Sequence, residues 1–173
     1  MSAKEAARIR EARPEDAIVL SEIIRRSFRD VADRFNLTQE NCPKHPSNCT
    51  DQWIRSDLHR GVRYFVLEDD GIPSGCVALE LANDEACYLE RLCVVPEKRR
   101  QGFGKALVRH VLDEATCAGA RHVSIGIISD HAELKEWYRK IGFTEGETKG
   151  FPHLPFHVTF MSYGLKRNCQ QGE

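Results

Sequence analysis

Residues 96–107 read PEKRRQGFGKAL, and this stretch decides how the rest of the chain is interpreted. An apolar, strand-like run precedes it, and a helical pattern follows it directly. The whole chain carries 25 Lys and Arg against 26 Asp and Glu, a net charge of −1, so this positive charge is local. We infer that the stretch binds an anion. Four cations surround two glycines in it: Lys98, Arg99, Arg100, Lys105, Gly102 and Gly104.

The composition predicts one folded domain over residues 1–173, with its core from about residue 8 to residue 164. Of the 173 residues, 41% are hydrophobic and 29% are charged, which is typical of a globular protein and not of a disordered one. The near-zero net charge argues against a nucleic acid or a membrane surface as partner. The chain lacks an apolar run of the ~20 residues that a membrane span needs. The N-terminal MSAKEAARIREARPED is charged, unlike a signal peptide, so we expect a cytoplasmic protein.

The seven cysteines are predicted to be buried free thiols, because several lie inside apolar runs such as CVALEL and LCVV. Cys42 and Cys49 leave a metal clip or a local disulfide open as alternatives, since His45 and His59 are near in sequence. Their spacing matches no established zinc pattern, and two prolines already explain NCPKHPSNCT as a rigid loop. No metal is predicted.

Hydrophobic periodicity predicts the element order β-α-α-β-β-β-α-β-α-β-β. A short strand at 8–13 is followed by a helix that Pro14 opens, and a long loop at 35–50 precedes a second helix, for which Thr50 or Asp51 is the predicted cap. Three strand-like runs then form an antiparallel meander. The predicted fold class is α/β, with a central mixed, mostly antiparallel sheet and helices on both faces.

A strand, a basic turn that contains glycine and a helix follow one another here, and this order is typical of a phosphate site. The first N–H groups of a helix lack internal partners, and glycine lets the backbone approach a ligand. A nucleotide-hydrolysing P-loop does not fit, because Ala106 follows Lys105 where Ser or Thr is needed. A dinucleotide fingerprint does not fit either, because Leu107 stands where the third small residue belongs, which argues against an NAD(P) enzyme.

The motif that does fit is R-x-x-G-x-G, from Arg99 to Gly104, within LERLCVVPEKRRQGFGKAL. This segment resembles the acetyl-CoA motif of the GNAT N-acetyltransferase family. About 40 residues later, EWYRKIGFTE resembles the same family's Tyr-x-x-x-Gly-Phe helix ending. The resemblance runs from about Arg8 to Tyr163 and agrees with the predicted element order. It implies the acyltransferase fold of that family and acetyl-CoA as co-substrate, without a metal.

The resemblance also implies which residues hold the coenzyme. The glycine turn would carry the diphosphate, and the preceding strand would pair its backbone with the amides of the pantetheine arm. His131 stands where many relatives have an asparagine that binds the pantetheine. The implied cofactor-binding residues are Leu92, Cys93, Val94, Arg99, Arg100, Gln101, Gly102, Phe103, Gly104, Lys105 and His131.

Two catalytic residues are expected for direct transfer of an acetyl group to a primary amine. Tyr138 matches the family tyrosine that donates a proton to the coenzyme sulfur; its alternative is a purely structural place in an apolar helical stripe. Glu90 is the candidate base, on the strand face that alternation assigns to Leu92 and Val94 as well. Its alternative is a structural ion pair with Arg91 or another surface cation. Two weaker rivals lie on neighbouring strands: Glu68 and Glu80.

The acceptor is expected to be a small-molecule amine. Gly126 occupies the position where relatives that acetylate protein N-termini often carry a glutamate. A protein lysine or N-terminus stays open, as does a non-catalytic module that senses acyl-CoA. Dimers are common among such proteins, so a homodimer is open too. The segments 35–50 and 149–158 are expected to flank the pocket, with these candidates to line it: His45, Trp53, His59, Phe151, His153, Phe156 and His157.

Overall fold

A computed structural model describes residues 6–166 and confirms the predicted fold class and element order. None of the helices in this range is long and apolar enough to cross a membrane. The helices are α1 (Ala17–Arg34), α2 (Asp51–His59), α3 (Phe103–Cys117) and α4 (Ala132–Ile141). The strands are β1 (Arg8–Glu11), β2 (Arg63–Asp69), β3 (Ile72–Leu81), β4 (Ala86–Val94), β5 (His122–Ile128), β6 (Thr144–Gly150) and β7 (His157–Gly164).

The seven strands form one sheet in the order β1-β2-β3-β4-β5-β7-β6, and β4 and β5 are its one parallel pair. These two strands pair over three positions, from Ala86 opposite His122 to Tyr88 opposite Ser124. Within the described chain, β4 continues to Val94 and β5 to Ile128 without further pairing to each other. The centre of the sheet therefore opens into a gap between two strand edges.

The sheet separates two apolar cores, as period-two alternation along its strands requires. On β2, Phe65 and Leu67 face α3 and contact residues such as Leu107, whereas Tyr64 and Val66 face α1 and α2. Apolar residues of α3 at helical spacing, Leu107 to Ala115, complete the first core. The helices thus cover both faces of the sheet, and the gap between β4 and β5 lies in the layer that separates them.

A β-bulge in β4 changes which side chains face which core. Arg91 has a φ of +50°, in the left-handed region, and the register against β3 shifts between Cys76 and Ala78. The extra residue inverts the alternation. Leu92 and Val94 therefore pack on the α3 side, whereas Glu90 lies opposite Ala78, which belongs to the core under α1 and α2. The expectation that Glu90 shares a face with Leu92 and Val94 is wrong for this reason.

The segment before α2 is a structured loop. Its one short 3-10 turn within residues 35–50 is Pro46–Asn48, and the side chains of Asn41 and Asn48 donate to the backbone carbonyls of Asn36 and Cys42. The predicted cap is confirmed at Thr50, whose hydroxyl accepts from the N–H of Trp53. The first strand ends at Glu11, earlier than predicted, because Arg13 caps the turn that starts at Pro14.

Replacing Gly75 on β3 with alanine is predicted to destabilise the fold by about 1–3 kcal/mol, because the backbone cannot give way to the added methyl group. The new Cβ would lie 2.7 Å from the carbonyl oxygen of Cys93 and 3.3 Å from side-chain atoms of Leu107 and Val94. Urea unfolding of the purified variant measures the change. Gly164→Ala is the control, since its Cβ would meet nothing within 4 Å. Equal stability of the two variants would contradict this reading of the β3–β4 contact.

Candidate active site

A cavity of about 580 Å³ fills the gap between β4 and β5. Its walls come from both strand edges, from α1, from the loop before α2, from the start of α4 and from β7 with the segment before it. The site therefore exists because β4 and β5 stop pairing and diverge here. The residues of most interest among those lining it are Lys44, His45, Tyr88, Glu90, Leu92, Gly126, His131, Tyr138, Phe156 and Phe160.

The glycine turn presents a row of free backbone donors at the start of α3. Among residues 6–166, the N–H groups of 100–105 have no hydrogen-bond partner, and the first bonded one is that of Ala106, to the carbonyl of Gly102. Arg100 and Gly102 have φ of +61° and +83°, which turns the chain into the helix. A Cβ on Gly102 would meet nothing within 4 Å, so the turn is open to a ligand. These features fit an anionic group, with the helix dipole adding positive potential.

The cations of the turn divide into anchored and free ones. The guanidinium of Arg99 donates to the carbonyls of Ser27 and Val94 and pairs with Asp30 at 2.6 Å. Arg99 therefore fixes the turn to α1. Lys98 pairs with Asp69 at 2.6 Å. Arg100 and Lys105 form no ion pair within the described residues, so their charges are available to a ligand.

Gly104 lies at the contact between α3 and α4. A Cβ there would lie 3.4 Å from the ring of Trp137, an ordinary contact distance, so α4 packs directly against the start of α3. Gln101 of the turn is exposed and Phe103 is half-buried against the α3-side core. The turn and the helix that carries Tyr138 are thereby held together.

The strand predicted to bind the pantetheine arm, β4, has an edge that is partly unpaired. Beyond Tyr88 this edge has no strand partner in the described chain, and Leu92 lines the cavity. The side chain of Cys93 points instead into the core, where its Sγ lies 3.6 Å from that of Cys76. Of Cys93, only the backbone is therefore placed to meet a bound molecule.

Tyr138 lies where α4 meets the cavity. Its ring is 4% exposed and packs edge-on against Trp137 and Phe143, with centroids 4.9 and 5.1 Å away. The hydroxyl has no hydrogen-bond partner among residues 6–166. Burial raises the pKa of the phenol, so the hydroxyl keeps its proton at neutral pH. The tyrosine is thus both part of the apolar stripe and a protonated group at the cavity wall.

Glu90 is a half-buried carboxylate on the cavity wall that has no ion pair among the described residues. Burial, together with the nearby charge of Glu80, raises its pKa. The rival carboxylates are engaged elsewhere. Glu68 pairs with Arg8 and Arg10, and Glu80 pairs with Arg60.

The proposed pair between Glu90 and Arg91 does not form, because Arg91 is bound in a buried polar network. Its guanidinium contacts the carboxylate of Asp57 and the hydroxyl of Tyr64, and lies 5.9 Å from the ring centroid of Trp53. The Tyr64 hydroxyl donates to Asp57 at 2.6 Å. This network fixes the side chain of Arg91, the residue directly after Glu90. Sequence reasoning missed it, although Asp57 falls on the same face of α2 as the buried Ile54.

Burial raises the pKa of Asp57, but the hydrogen bonds from Tyr64 and Arg60 and the charge of Arg91 outweigh it, and the pKa is lowered. Asp57 therefore stays ionised in the folded protein. A folded pKa below the unfolded one contributes stability above the ordinary value of 3.8 and loses it as pH falls through the folded pKa.

Two of the predicted histidines reach the cavity in an uncharged state. His45 is buried, with Nδ1 2.8 Å from the Ser47 hydroxyl, and burial lowers its pKa to about 4. His131 immediately precedes α4 and packs edge-on against Phe35; burial and the charge of Arg34 lower its pKa. Both rings are therefore neutral at pH 7.

The other candidates divide between lining and supporting roles. Phe156 lines the cavity, whereas Trp53 is not among the lining residues. The ring centroid of Trp53 lies 5.6 Å from the ammonium of Lys44 and 5.9 Å from the guanidinium of Arg91. Residues not among those lining it are His59, Phe151, His153 and His157. Cys42 and Cys49 are buried free thiols, and Cys169 lies outside the described residues. Within residues 6–166 no three His, Cys, Asp or Glu side chains are grouped to hold a metal ion.

A comparison with protein families decides the classification. The model of the acetyltransferase (GNAT) family matches residues 22–143. The chain belongs to the GNAT family. This match includes the glycine turn, both unpaired strand edges and Tyr138, so most of the cavity wall lies within the matched region and only Phe156 and Phe160 among its lining residues lie outside it.

The GNAT chain is similar to curated proteins over about half its length. It is 30% identical over 89 residues to the ribosomal protein bS18-alanine N-acetyltransferase of Escherichia coli, an alignment covering 50% of this chain and 60% of that protein. It is 29% identical over 90 residues to an uncharacterized N-acetyltransferase of Methanocaldococcus jannaschii, covering 49% of this chain and 40% of that protein.

Solved structures share the whole fold. The E. coli ribosomal-protein-S18-alanine N-acetyltransferase superposes with a TM-score of 0.75 at 17% identity, over 97% of this chain and 99% of that one. The PaiA N-acetyltransferase of Thermoplasma acidophilum, in complex with coenzyme A, gives a TM-score of 0.78 at 17% identity, over 92% and 99%. At these identities the likeness shows the fold alone.

Replacing Asp57 with asparagine is predicted to destabilise the protein by roughly 3 kcal/mol at neutral pH, because Arg91 is left with an unpaired buried charge. Chemical unfolding at pH 7 measures the loss. As pH is lowered below 4, the difference from the wild type should shrink, since the wild-type carboxylate becomes protonated there.

The matched control is Asp51→Asn, which breaks an exposed pair with Arg55 on the same helix. That change is expected to stay within about 0.5 kcal/mol of the wild type. If Asp57→Asn were as mild as Asp51→Asn, the network would not hold the bulge in place.

Proposed function

We propose that this protein is an acetyl-CoA-dependent N-acetyltransferase that moves an acetyl group to a primary amine on a small molecule by direct attack. One observation carries the proposal. A single cavity brings together the unpaired edge of β4, the protonated Tyr138 and the carboxylate of Glu90, which has no ion pair with any described residue. The named activity of GNAT relatives agrees with it.

The residues of the glycine turn fit the coenzyme. A diphosphate would accept from the free N–H groups of 100–105 and meet the side chains of Arg100 and Lys105. The open edge of β4 at Leu92 to Val94 would pair with the amides of the pantetheine arm, as an added strand does. Acetyl-CoA supplies the activated thioester, and a backbone N–H of this edge would polarise its carbonyl group.

The two side chains divide the proton transfers between them. A primary ammonium must lose a proton before its nitrogen can attack, and Glu90 accepts that proton, helped by its raised pKa. The N–C bond then forms while the C–S bond breaks. The leaving thiolate takes the proton of the Tyr138 hydroxyl, and the second proton of the nitrogen restores that hydroxyl. Glu90 then releases the first proton to solvent, so one proton ends on the thiol and one in solution.

Two observations favour a small acceptor. The cavity is lined largely by apolar and aromatic groups on several elements, which suits an enclosed molecule. Gly126 leaves β5 without a carboxylate at the position used by relatives that acetylate protein N-termini; a Cβ there would lie 3.2 Å from Val158. Five buried free cysteines also suit a reducing compartment, so we assign the reaction to the cytoplasm.

A protein N-terminus is the second candidate acceptor. It is favoured by the E. coli relative, whose name states that it acts on an alanine of a ribosomal protein. A peptide would have to enter the same cavity with its N-terminal amine toward Glu90. Turnover of short peptides in preference to free amines would establish this alternative.

Acetyl-CoA is predicted to raise the melting temperature of the protein. A ligand present at a hundred times its Kd stabilises the native state by about 2.7 kcal/mol, which differential scanning fluorimetry detects easily. NAD⁺ at the same concentration should produce no shift. Combining Arg100→Met with Lys105→Met should reduce the shift, because both charges are free for the ligand. No shift with millimolar acetyl-CoA would refute the proposed function.

Replacing Tyr138 with phenylalanine is predicted to lower kcat by about a hundredfold, because the thiolate loses its proton donor. Coenzyme affinity should stay within about twofold, as the ring and its packing remain. Release of free thiol across a panel of amines gives the rate. Tyr163→Phe is the control, since Tyr163 packs against Phe143 and does not line the cavity.

An unchanged rate in Tyr138→Phe would remove the hydroxyl from the mechanism. Binding of acetyl-CoA by the wild type without turnover of any amine would instead indicate a protein that senses acyl-CoA.

A further inference from the structure

Within residues 6–166, the wall of the cavity carries one cation and one anion that lack ionic partners; the part of the cavity that they line is called the acceptor end below. Among the described residues that line it, Lys44 and Glu90 are charged and form no ion pair. Glu90 has the role of accepting a proton from the amine in the proposed reaction. The role of Lys44 is unassigned, although it lies on the wall that α1 and the loop before α2 build.

Lys44 is held on a rigid support. The loop that carries it is fixed by Asn48, which donates to the carbonyls of Cys42 and Pro43, and by the buried pair of His45 and Ser47. The ammonium group of Lys44 lies 5.6 Å from the ring centroid of Trp53. The loop is therefore held in place, and an exposed lysine that it carries at a cavity wall is placed to meet an anionic group of a ligand.

The other positive groups around the cavity are already neutralised. Arg91 is bound to Asp57, and Arg34 near His131 pairs with Glu133. His45 and His131 are held uncharged by burial. Lys44 is therefore the one free cation that the described residues present to the acceptor.

The remaining wall of this end is apolar and largely aromatic. Tyr88 and Phe160, at 44% and 37%, are among the more exposed large hydrophobic residues of the described chain, and both face the cavity. Phe28 of α1 and Phe156, just before β7, also line the cavity. Such exposed aromatic rings around a concave site favour a ligand with an apolar body.

We propose that the acceptor is a small molecule with an apolar, preferably aromatic, body that carries a carboxylate beside its amine. Its carboxylate pairs with Lys44, its body packs on Tyr88 and Phe160, and its amine reaches Glu90. An amino acid with an aromatic side chain has this chemistry. The inference rests on the proposed acetyl transfer and narrows its substrate class.

Matched pairs of acceptors that differ only in the carboxylate test the proposal. L-phenylalanine is compared with phenethylamine, and L-leucine with 3-methylbutylamine, by thiol release at saturating acetyl-CoA. The wild type should favour each acid by about tenfold in kcat/KM, as one charge-assisted contact predicts. Lys44→Met should reduce this ratio to about one by raising KM for the acid, and Lys44→Arg should restore most of it.

Lys149→Met is the matched control, because Lys149 is an exposed lysine paired with Glu147 and does not line the cavity; it should keep the wild-type ratio. Calorimetry of L-phenylalanine binding to the coenzyme A-loaded protein adds a readout that needs no turnover, and its Kd should rise about tenfold in Lys44→Met.

A wild-type preference for the amines without carboxylate would overturn the inference, as would an equal loss for both members of a pair in Lys44→Met. Preference for a tripeptide amide with N-terminal phenylalanine would overturn it in favour of a peptide N-terminus. In each of these cases acetyl transfer itself would stand. No turnover of any acceptor and no calorimetric binding would refute both the substrate class and the proposed function.

Discussion

The early end of the pairing between β4 and β5 is the constraint on which the site depends. Three residue pairs join these strands, and beyond Tyr88 the described edges separate. A central sheet without this separation would be closed, with no free backbone edge and no cavity. The opening costs backbone hydrogen bonds at a buried position, and a strand-like ligand is the natural way to restore them. The bulge at Arg91 lies beside the gap, and contacts of the Arg91 side chain with Asp57 and Tyr64 stabilise it from within the core.

Electrostatics inside the cavity follow from burial. Burial raises the pKa of both Tyr138 and Glu90, with the charge of Glu80 adding to the shift of Glu90, which keeps a proton on the phenol and brings the carboxyl group toward the range useful for a base. The same burial keeps His45 and His131 neutral. Most charges nearby are bound to partners. Among the described residues, the groups around the site that remain without a hydrogen-bond or ionic partner include the N–H donors of the glycine turn, the phenol of Tyr138, the carboxylate of Glu90 and Lys44.

Much of this was predictable from local sequence patterns. The element order, the glycine turn and the Thr50 cap depend on residues close together in the chain, whose propensities and periodicity report directly on structure. The resemblance of 99–104 and 138–143 to family motifs predicted the GNAT family, which the family model confirms.

The remaining features depend on contacts between distant residues. Alternation along β4 assigned Glu90 to the wrong face, because the bulge at Arg91 is stabilised by Asp57, 34 positions earlier. Arg99 is anchored by residues of α1 that are about 70 positions away, at Ser27 and Asp30. A single sequence carries no local signal for either contact, so the face of Glu90 and the anchoring of the turn needed the structure.

The central claim is that the glycine turn and the open strand edge aim a thioester at Tyr138. A crystal structure of the complex with acetyl-CoA tests it most directly. We expect diphosphate oxygens within about 3 Å of the N–H groups between 100 and 105, and the Tyr138 hydroxyl within hydrogen-bond distance of the sulfur. A coenzyme bound away from the gap between β4 and β5, or a sulfur remote from that hydroxyl, would contradict the account.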